Sequence, residues 1–190
     1  MCGRYVISPS DGQMQDILEQ IARDFPQTPV HTGEIFPTER APVLVPAMQG
    51  PLFRPFVWGF PSPSGKGTVI NARAESLEER ALFRKPFALA RCIVPASGFF
   101  EWSHAAKERQ KYLFRQPGQE ILYLAGLCWK FSGVERFVIV TAAANDSMSP
   151  IHSRMPLFLR PEERADWLHD VDFARLKLRA ELPALERRPV

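Results

Sequence analysis

The stretch Arg91-Cys92-Ile93-Val94-Pro95-Ala96-Ser97-Gly98-Phe99-Phe100-Glu101-Trp102 holds two short apolar runs joined by a Ser-Gly pair. Runs of this kind, rich in β-branched and aromatic residues and bounded by Pro, Gly or Ser, are typical of strands. We therefore predict one strand at Cys92 to Pro95 and another at Phe99 to Trp102. The same pattern predicts strands at Gly3 to Ile7, Pro42 to Val45, Leu52 to Phe60, Val69 to Ala72, Tyr112 to Arg115, Ile121 to Cys128 and Phe137 to Ala142.

Helical periodicity is limited to a few segments of the chain. Apolar residues between Met14 and Ile21 recur at helical spacing, which predicts an amphipathic helix. We expect this helix to begin after a capping box formed by Ser10 and Gln13 and to end near Phe25, just before a proline. Further helices are predicted near Glu75 to Phe83, from Pro161-Glu162-Glu163 onward and around Phe173 to Ala180.

The fold class follows from the high proline content. The chain has 18 prolines among 190 residues, about twice the average share, which favours turns and edge strands over a helix bundle. We predict irregular chain at 26–42 and a loop at 61–67. Because no repeat or long linker divides the sequence, we predict one domain spanning 1–190, with a core at about 2–160 and helices in 161–190. The predicted fold is α+β, with mostly antiparallel strands forming a closed or barrel-like sheet and helices at its periphery.

Composition excludes several classes of protein. The 24 Lys+Arg against 21 Asp+Glu give a formal charge of +3, and 45% of the residues are hydrophobic, which is ordinary for a globular chain. No apolar run reaches the ~18 residues of a membrane span, and the first residues lack the apolar segment of a secretory signal. We expect a soluble protein without a membrane partner, located in the cytoplasm and associated with the nucleoid if it is bacterial.

Familiar cofactor and nucleophile motifs are absent from the sequence. It contains no Gly-x-Ser-x-Gly elbow, no phosphate-binding P-loop and no dinucleotide fingerprint. The cysteines at positions 2, 92 and 128 are widely separated, and the four histidines show no metal-ligand spacing with them or with each other. We therefore expect neither a metal site nor a cofactor.

Cys2 could supply two nucleophiles on adjacent carbons. Removal of Met1, which a small second residue generally permits, would leave a 1,2-aminothiol at the start of the chain. An α-amine and a thiol have ordinary pKa values of about 7.7–8.0 and about 8.5, so both are partly available at neutral pH. Such an amine forms an imine with an aldehyde, and the sulfur can then close a thiazolidine ring. The alternative is that Cys2 is a small buried hydrophobe beside a strand.

The stretch Asn71-Ala72-Arg73-Ala74-Glu75 alternates polar and tiny residues. If this stretch is extended, its polar side chains share one face, because side chains alternate along a strand. A guanidinium and an amide held side by side suit a phosphate or a carbonyl oxygen. The alternative is a solvated strand end, with Glu75 beginning the next helix.

Two other polar residues stand in unusual surroundings. Glu101 is the one carboxylate in an apolar strand, so it lies either on a solvated edge or partly buried, where a carboxyl group can give and take protons. His152 and Arg154 lie in a loop bracketed by prolines, where an imidazole could shuttle protons and a guanidinium could anchor an anion. An ordinary loop histidine is the alternative.

Taken together, these motifs resemble the SOS response-associated peptidase (SRAP) family. The resemblance spans roughly residues 2–160 and lies in six blocks in the family's order: Met1-Cys2-Gly3-Arg4-Tyr5, Trp58-Gly59, Asn71-Ala72-Arg73-Ala74-Glu75, residues 91–102, Ala125-Gly126-Leu127 and Ile151-His152-Ser153-Arg154-Met155-Pro156. The family has a barrel-like α+β domain with a positively charged DNA groove. The segment Gly33-Glu34-Ile35-Phe36 departs from the family pattern, which usually has an Asn and small residues there.

The resemblance implies roles for nine residues. The implied catalytic residues are Cys2 as nucleophile, Asn71 as its orienter, Glu101 as acid/base and His152 as proton donor to the sugar. The implied DNA-binding residues are Arg4, Arg73 and Arg154 as phosphate contacts, with Trp58 and Gly59 in the rim of the strand-binding groove.

The implied function is covalent capture of damaged DNA. The protein would bind single-stranded DNA and, after removal of Met1, form a thiazolidine crosslink between Cys2 and an abasic site, which protects the lesion during the SOS response. Its class would be a DNA-protein crosslinking enzyme of the peptidase (hydrolase) or lyase type. Two alternatives remain: a thiol peptidase acting on its own amino terminus or on another protein, and a non-catalytic module that binds single-stranded DNA.

Overall fold

The computed structural model of the chain describes residues 2–103 and 110–190. Met1, whose removal we predict, lies outside the described residues. The strands are β1 Tyr5–Ile7, β2 Gly33–Ile35, β3 Arg40–Val45, β4 Leu52–Trp58, β5 Phe60–Pro61, β6 Thr68–Val69, β7 Asn71–Arg73, β8 Arg91–Ala96, β9 Gly98–Trp102, β10 Lys111–Arg115, β11 Leu122–Phe131, β12 Val134–Ala143, β13 Arg154–Pro156, β14 Phe158–Leu159 and β15 Glu186–Pro189. The helices are α1 Gly12–Asp24, α2 Ala81–Leu89, α3 Arg164–His169 and α4 Val171–Lys177, with short 3-10 turns at Ala74–Ser76 and Pro161–Glu163.

Five strands close into a barrel. Their order is β12, β4, β3, β8, β11 and back to β12, and every neighbouring pair is antiparallel except β12 with β4. All six residues of β8 are buried, because this strand is paired on both sides and covered on both faces. At Gly126 on β11, an added Cβ would lie 2.9 Å from Cys92 Sγ, so the close approach of the strands requires glycine. The predicted α+β fold with a closed sheet is confirmed.

A second sheet stands beside the barrel, in the antiparallel order β15, β10, β9, β1, β2. The chain passes from the barrel into this sheet at Ser97. The backbone N–H of Ser97 donates to Val6 O at 2.8 Å, and its hydroxyl accepts from the backbone N–H of Ser8 at 2.9 Å. At Gly98 an added Cβ would lie 2.7 Å from Phe114 O, so the turn into β9 also needs glycine.

Helix α1 covers the core as its periodicity predicts, with Met14, Ile17 and Ile21 buried. The predicted capping box is wrong. The N-cap is Asp11, which makes no side-chain capping hydrogen bond, and the Ser10 hydroxyl contacts the Ser8 hydroxyl at 2.8 Å instead. No helix in the parts of the chain that the structure describes is long and apolar enough to cross a membrane.

Several boundaries differ from the predictions. The helix expected at Glu75 to Phe83 is a 3-10 turn followed by α2, because the chain is extended at Arg80 before α2 begins. Residues 26–42 contain β2 and the start of β3, and the 61–67 loop is closed by pairing of β5 with β6. The segment 161–190 is not only helical. Its end forms β15, which pairs with β10 through backbone hydrogen bonds.

Candidate active site

Cys2 is buried three residues before the start of β1. Its side chain is fully buried, and the thiol contacts the backbone oxygen of Arg4 at 3.9 Å. The side-chain amide of Asn71 donates a hydrogen bond of 2.9 Å to the Cys2 carbonyl oxygen. Asn71 is itself held by the pairing of β7 with β12, where it lies opposite Ile139. Two distant segments of the chain therefore fix the backbone at Cys2.

Glu101 is buried on β9 and interacts electrostatically with Cys2. Because β9 is paired with both β1 and β10, Glu101 is not on a sheet edge, and the solvated alternative for this residue is wrong. Burial raises the pKa of the Cys2 thiol well above its usual range, and the negative charge of Glu101 raises it further. The thiol is therefore protonated at neutral pH.

Arg154 lies on β13 and is held by two contacts. Its guanidinium forms a two-pronged ion pair with the Glu75 carboxylate, with one contact of 2.9 Å, and it donates to Thr141 O at 2.6 Å. Arg73 lies opposite Thr141 in the pairing of β7 with β12. Thr141 is therefore the strand partner of Arg73 and also accepts the hydrogen bond from the Arg154 guanidinium.

The imidazole of His152 is oriented by the backbone of Arg154. The Arg154 N–H donates to His152 Nδ1 at 2.9 Å. The same Nδ1 lies 3.2 Å from Arg154 O, so both backbone groups of Arg154 hold the ring in one orientation. His152 is half-buried, which leaves it partly accessible from solvent.

An open cavity of about 460 Å³ lies beside Glu75. It is lined by Glu75, by residues 142–146 at the end of β12 and in the following turn, and by residues 178–182. It provides space next to the Arg154–Glu75 pair. No group of three or more His, Cys, Asp and Glu side chains with the arrangement of a metal site occurs in residues 2–103 and 110–190.

Arg4 immediately precedes β1 and lies among aromatic rings. Its guanidinium forms an ion pair with Glu34 at 3.1 Å. The guanidinium carbon lies 4.1 Å from the centre of the Phe36 ring and 5.1 Å from the centre of the Trp102 ring. The three arginines predicted to contact phosphate thus form two groups, with Arg73 and Arg154 at Thr141 and Arg4 at Glu34.

Comparison with known proteins assigns the family. The sequence profile of the SOS response associated peptidase (SRAP) family matches residues 1–189. The chain belongs to the SRAP family. It is 32% identical over 176 residues to the abasic site processing protein YedK of Escherichia coli, covering 88% of this chain and 79% of YedK. It is 30% identical over 183 residues to the abasic site processing protein YoqW of Bacillus subtilis, covering 89% of this chain and 80% of YoqW.

The architecture is also shared with a protein of known structure. A crystal structure of a Bordetella bronchiseptica protein superposes with a TM-score of 0.81 at 20% identity, covering 100% of this chain and 99% of that chain. At that identity the similarity concerns the fold alone.

The role that the SRAP resemblance implies for Trp58 and Gly59 is wrong. Trp58 is fully buried, with its ring 5.1 Å from that of Tyr5 and its indole N–H donating to Ile70 O at 3.0 Å. Gly59 is buried too, and its φ of +109° suits glycine, since an added Cβ would lie 2.0 Å from Thr68 Cγ2. Neither residue can stack on a base. Trp58 instead supports the start of β7, and hence Asn71.

Sequence reasoning missed three polar residues of this SRAP site. Tyr5 is fully buried, and burial, followed by the charges of Cys2 and Glu39, raises the pKa of its hydroxyl. Thr141 is buried on β12, and its backbone carbonyl accepts a hydrogen bond from the Arg154 guanidinium. Glu34 pairs with Arg4. Tyr5 stands in the quoted amino-terminal block, but nothing local distinguishes the other two, because their roles depend on contacts between distant strands.

Proposed function

We propose that this SRAP protein binds single-stranded DNA and, once Met1 has been removed, forms a covalent thiazolidine crosslink between Cys2 and an abasic site, protecting the lesion. The observation that carries the proposal is the 2.9 Å hydrogen bond from Asn71 to the carbonyl of the buried Cys2, with which Glu101 also interacts. The relatives YedK and YoqW, named abasic site processing proteins, support the choice of substrate.

The order of bond formation follows from the raised pKa of the Cys2 thiol. A protonated thiol is a poor nucleophile, so the α-amine attacks the aldehyde of the abasic sugar first. The amine nitrogen bonds to the aldehyde carbon, and loss of one water gives the imine. The sulfur then bonds to the imine carbon, and the thiol proton ends on nitrogen. Asn71 assists these steps by holding the Cys2 backbone in one orientation.

Glu101 and His152 move the protons that these steps require. An abasic sugar is mostly a closed hemiacetal, and a proton delivered to its ring oxygen opens it to the aldehyde. His152 suits that task, because its imidazole is half-buried and is held in one orientation by the Arg154 backbone. Glu101, buried next to Cys2, suits the transfer of protons to the leaving water and from the thiol.

Ring closure explains why the product shields the lesion. A DNA lyase cuts the strand by eliminating phosphate from an imine, and the thiazolidine no longer contains the imine. Arg4, Arg73 and Arg154 would hold the phosphates on either side of the abasic sugar, each as a charge-assisted hydrogen-bond donor.

The raised pKa of the Cys2 thiol argues against the thiol peptidase. A cysteine peptidase depends on a thiolate, whose formation needs a lowered pKa from a neighbouring cation or a helix amino terminus. Burial and the Glu101 carboxylate act in the opposite direction at Cys2. The peptidase or hydrolase class therefore remains secondary to crosslinking in this proposal.

Intact mass spectrometry tests the proposal directly. Protein incubated with a single-stranded oligonucleotide that carries one abasic site is expected to gain the mass of that oligonucleotide minus one water, on a chain lacking Met1. The adduct should survive heating in denaturant. Cys2→Ala keeps an α-amine but cannot close the ring, so its adduct should be lost unless it is reduced with borohydride. A heat-stable adduct in Cys2→Ala without reduction would refute the thiazolidine, and retention of Met1 in the adduct would refute the amine chemistry.

A further inference from the structure

A cluster of charged and aromatic side chains lies on the face of the second sheet opposite to Glu101, and it includes Arg4, whose backbone oxygen contacts the Cys2 thiol. Phe100 and Trp102 flank Glu101 on β9, so their side chains point to the face that Glu101 does not use. The Nζ of Lys111 lies 3.9 Å from the centre of the Phe100 ring and 5.8 Å from that of Trp102. We call this group the Arg4–Lys111 cluster, and its members are Arg4, Glu34, Phe36, Phe100, Trp102 and Lys111.

Glu34 bridges the two cations of the Arg4–Lys111 cluster. One carboxylate oxygen pairs with Arg4 at 3.1 Å, and the other pairs with Lys111. The hydrogen bond from Lys111 lowers the pKa of Glu34, so this carboxylate is ionised at neutral pH. Two cations against one anion leave an excess positive charge. Because the Glu34 side chain is 36% exposed, an anion from solvent can reach the position that it occupies.

The aromatic members make this surface suitable for a nucleotide and not only for an inorganic anion. Phe36 is 41% exposed, which is high for a large apolar side chain, and its ring is held against the guanidinium of Arg4. Proteins that bind single-stranded nucleic acids combine cations that contact the backbone with aromatic rings on which bases stack. Trp58, which the family resemblance places in the rim of the strand-binding groove, is buried and cannot stack on a base.

We propose that Arg4, Lys111 and Phe36 form a subsite for a nucleotide next to the abasic one, in which a DNA phosphate displaces Glu34 and a base stacks on the exposed side of Phe36. The subsite rests on the proposed function, because it takes single-stranded DNA as the ligand. Its position is suitable, since Arg4 is two residues from Cys2 and its backbone oxygen contacts the Cys2 thiol. A nucleotide bound there would therefore contact a residue two positions from the reacting amine.

Fluorescence anisotropy with an undamaged single-stranded oligonucleotide, measured over a salt series in a Cys2→Ala background, tests the subsite without the crosslinking chemistry. Each phosphate contact on single strands contributes about 0.7 to the slope of log affinity against log salt. Lys111→Gln should lower the magnitude of the slope by about that amount and weaken binding several-fold, while Lys111→Arg should keep both values. Glu34→Gln should tighten binding several-fold, because the phosphate no longer competes with a carboxylate.

Phe36→Ala separates stacking from charge. It should weaken binding by about fivefold or more without changing the salt slope, because base stacking involves no counterion release. The matched control is Glu135→Gln, which removes a carboxylate of similar exposure from an ion pair with Arg54, at 3.0 Å on the barrel. Thermal melting of every variant confirms that it is folded before its affinity is compared.

The outcomes distinguish this inference from the proposed function. If Lys111→Gln and Glu34→Gln bind undamaged DNA with the affinity and salt slope of Glu135→Gln, the subsite is refuted, whether or not the wild-type protein crosslinks abasic DNA. If those two variants shift binding as expected but the wild-type protein forms no adduct with abasic DNA, the subsite stands as a DNA contact and the crosslinking proposal fails.

Discussion

The side-chain amide of Asn71 holds the backbone carbonyl of Cys2 at 2.9 Å, across 69 positions of sequence. This bond acts on the main chain, so it orients the Cys2 amine and thiol together. Asn71 occupies its position because β7 pairs with β12, and Trp58 supports the chain just before it through the bond to Ile70 O. Core packing therefore determines the geometry at the nucleophile.

Replacing Asn71 should slow crosslinking without weakening DNA binding. Asn71→Ala removes one hydrogen-bond donor, so we expect a rate about fivefold to tenfold lower. Asn71→Asp should lose more, because a carboxylate oxygen would face the Cys2 carbonyl oxygen. The measurement is the rate of adduct formation with abasic oligonucleotide, with the affinity for undamaged oligonucleotide as control. A rate within twofold of wild type in both variants would contradict an orienting role.

Replacing Trp58 should destabilise the fold and leave DNA affinity nearly unchanged. Trp58→Phe loses the bond to Ile70 O and some packing, for which we expect about 1–2 kcal/mol, and Trp58→Ala should lose about 3–5 kcal/mol. Urea unfolding measures both values. The affinity of folded Trp58→Phe for undamaged DNA should stay within twofold of wild type, because the ring is fully buried. Lost affinity with unchanged stability would place Trp58 back in the DNA-binding surface.

The elements that the sequence predicts best are those whose pattern is local. Strands β8 and β9 match the predicted runs within one or two residues, because both are apolar and separated by Ser97. Helix α1 is equally clear from its periodicity. Strand β15 was not predictable, because Glu186–Pro189 is charged and exposed and pairs with β10 through its backbone. A strand that pairs only through its backbone need not show an alternation of apolar and polar residues in its sequence.

The candidate site was predictable in its residue types and not in its arrangement. The motif at 71–75 indicated that Asn71 and Arg73 share a face, which alternation along a strand requires. Whether Glu101 is buried depends on β1 and β10, which lie on either side of β9. The error at Trp58 has the same origin. A Trp-Gly pair in a sequence is compatible with an exposed rim. In the fold, Trp58 packs against the rings of Tyr5 and Phe137, which are distant in sequence, and this packing buries it.

The Glu75–Arg154 pair should make a small contribution to stability that is lost in acid. Hydrogen bonding from Arg154 lowers the pKa of Glu75. A carboxyl group with a lowered pKa in the folded state contributes its full stabilisation above its ordinary pKa and loses it as the pH falls through the lowered value. Because the Glu75 side chain is 56% exposed, we expect at most about 1 kcal/mol.

Comparison of the melting temperatures of Glu75→Gln and wild type over a pH series tests the contribution of the Glu75–Arg154 pair. The difference in melting temperature should be largest at neutral pH and should disappear below the pKa range of carboxyl groups. A difference that grows towards acid pH would contradict the assigned direction. Glu78→Gln, which removes the exposed partner of Arg175, serves as control for the loss of a surface carboxylate.

Arg91 is the first residue of the stretch 91–102, and we expect its role to be structural. Its guanidinium is buried and donates to Trp167 O at 2.5 Å, Phe87 O at 2.7 Å and Leu168 O at 3.3 Å. It therefore ties the end of α2 to α3 beside the barrel. A fourth acceptor is Ala88 O at 3.3 Å. Arg91→Lys keeps the charge, but a single ammonium cannot reach all four carbonyls, which the planar guanidinium does. We expect a loss of about 2–4 kcal/mol in the free energy of unfolding.

Chemical denaturation of Arg91→Lys and Arg91→Met separates the geometry of these bonds from the charge. Arg91→Met removes the buried charge but leaves the same carbonyls without donors, so it should also destabilise the protein. At a temperature where each variant is folded, the rate of crosslinking to abasic DNA should match that of wild type, because Arg91 does not contact Cys2, Asn71 or Glu101 in any described interaction. A folded Arg91→Lys with normal stability and slow crosslinking would show instead that this arginine acts on the reaction.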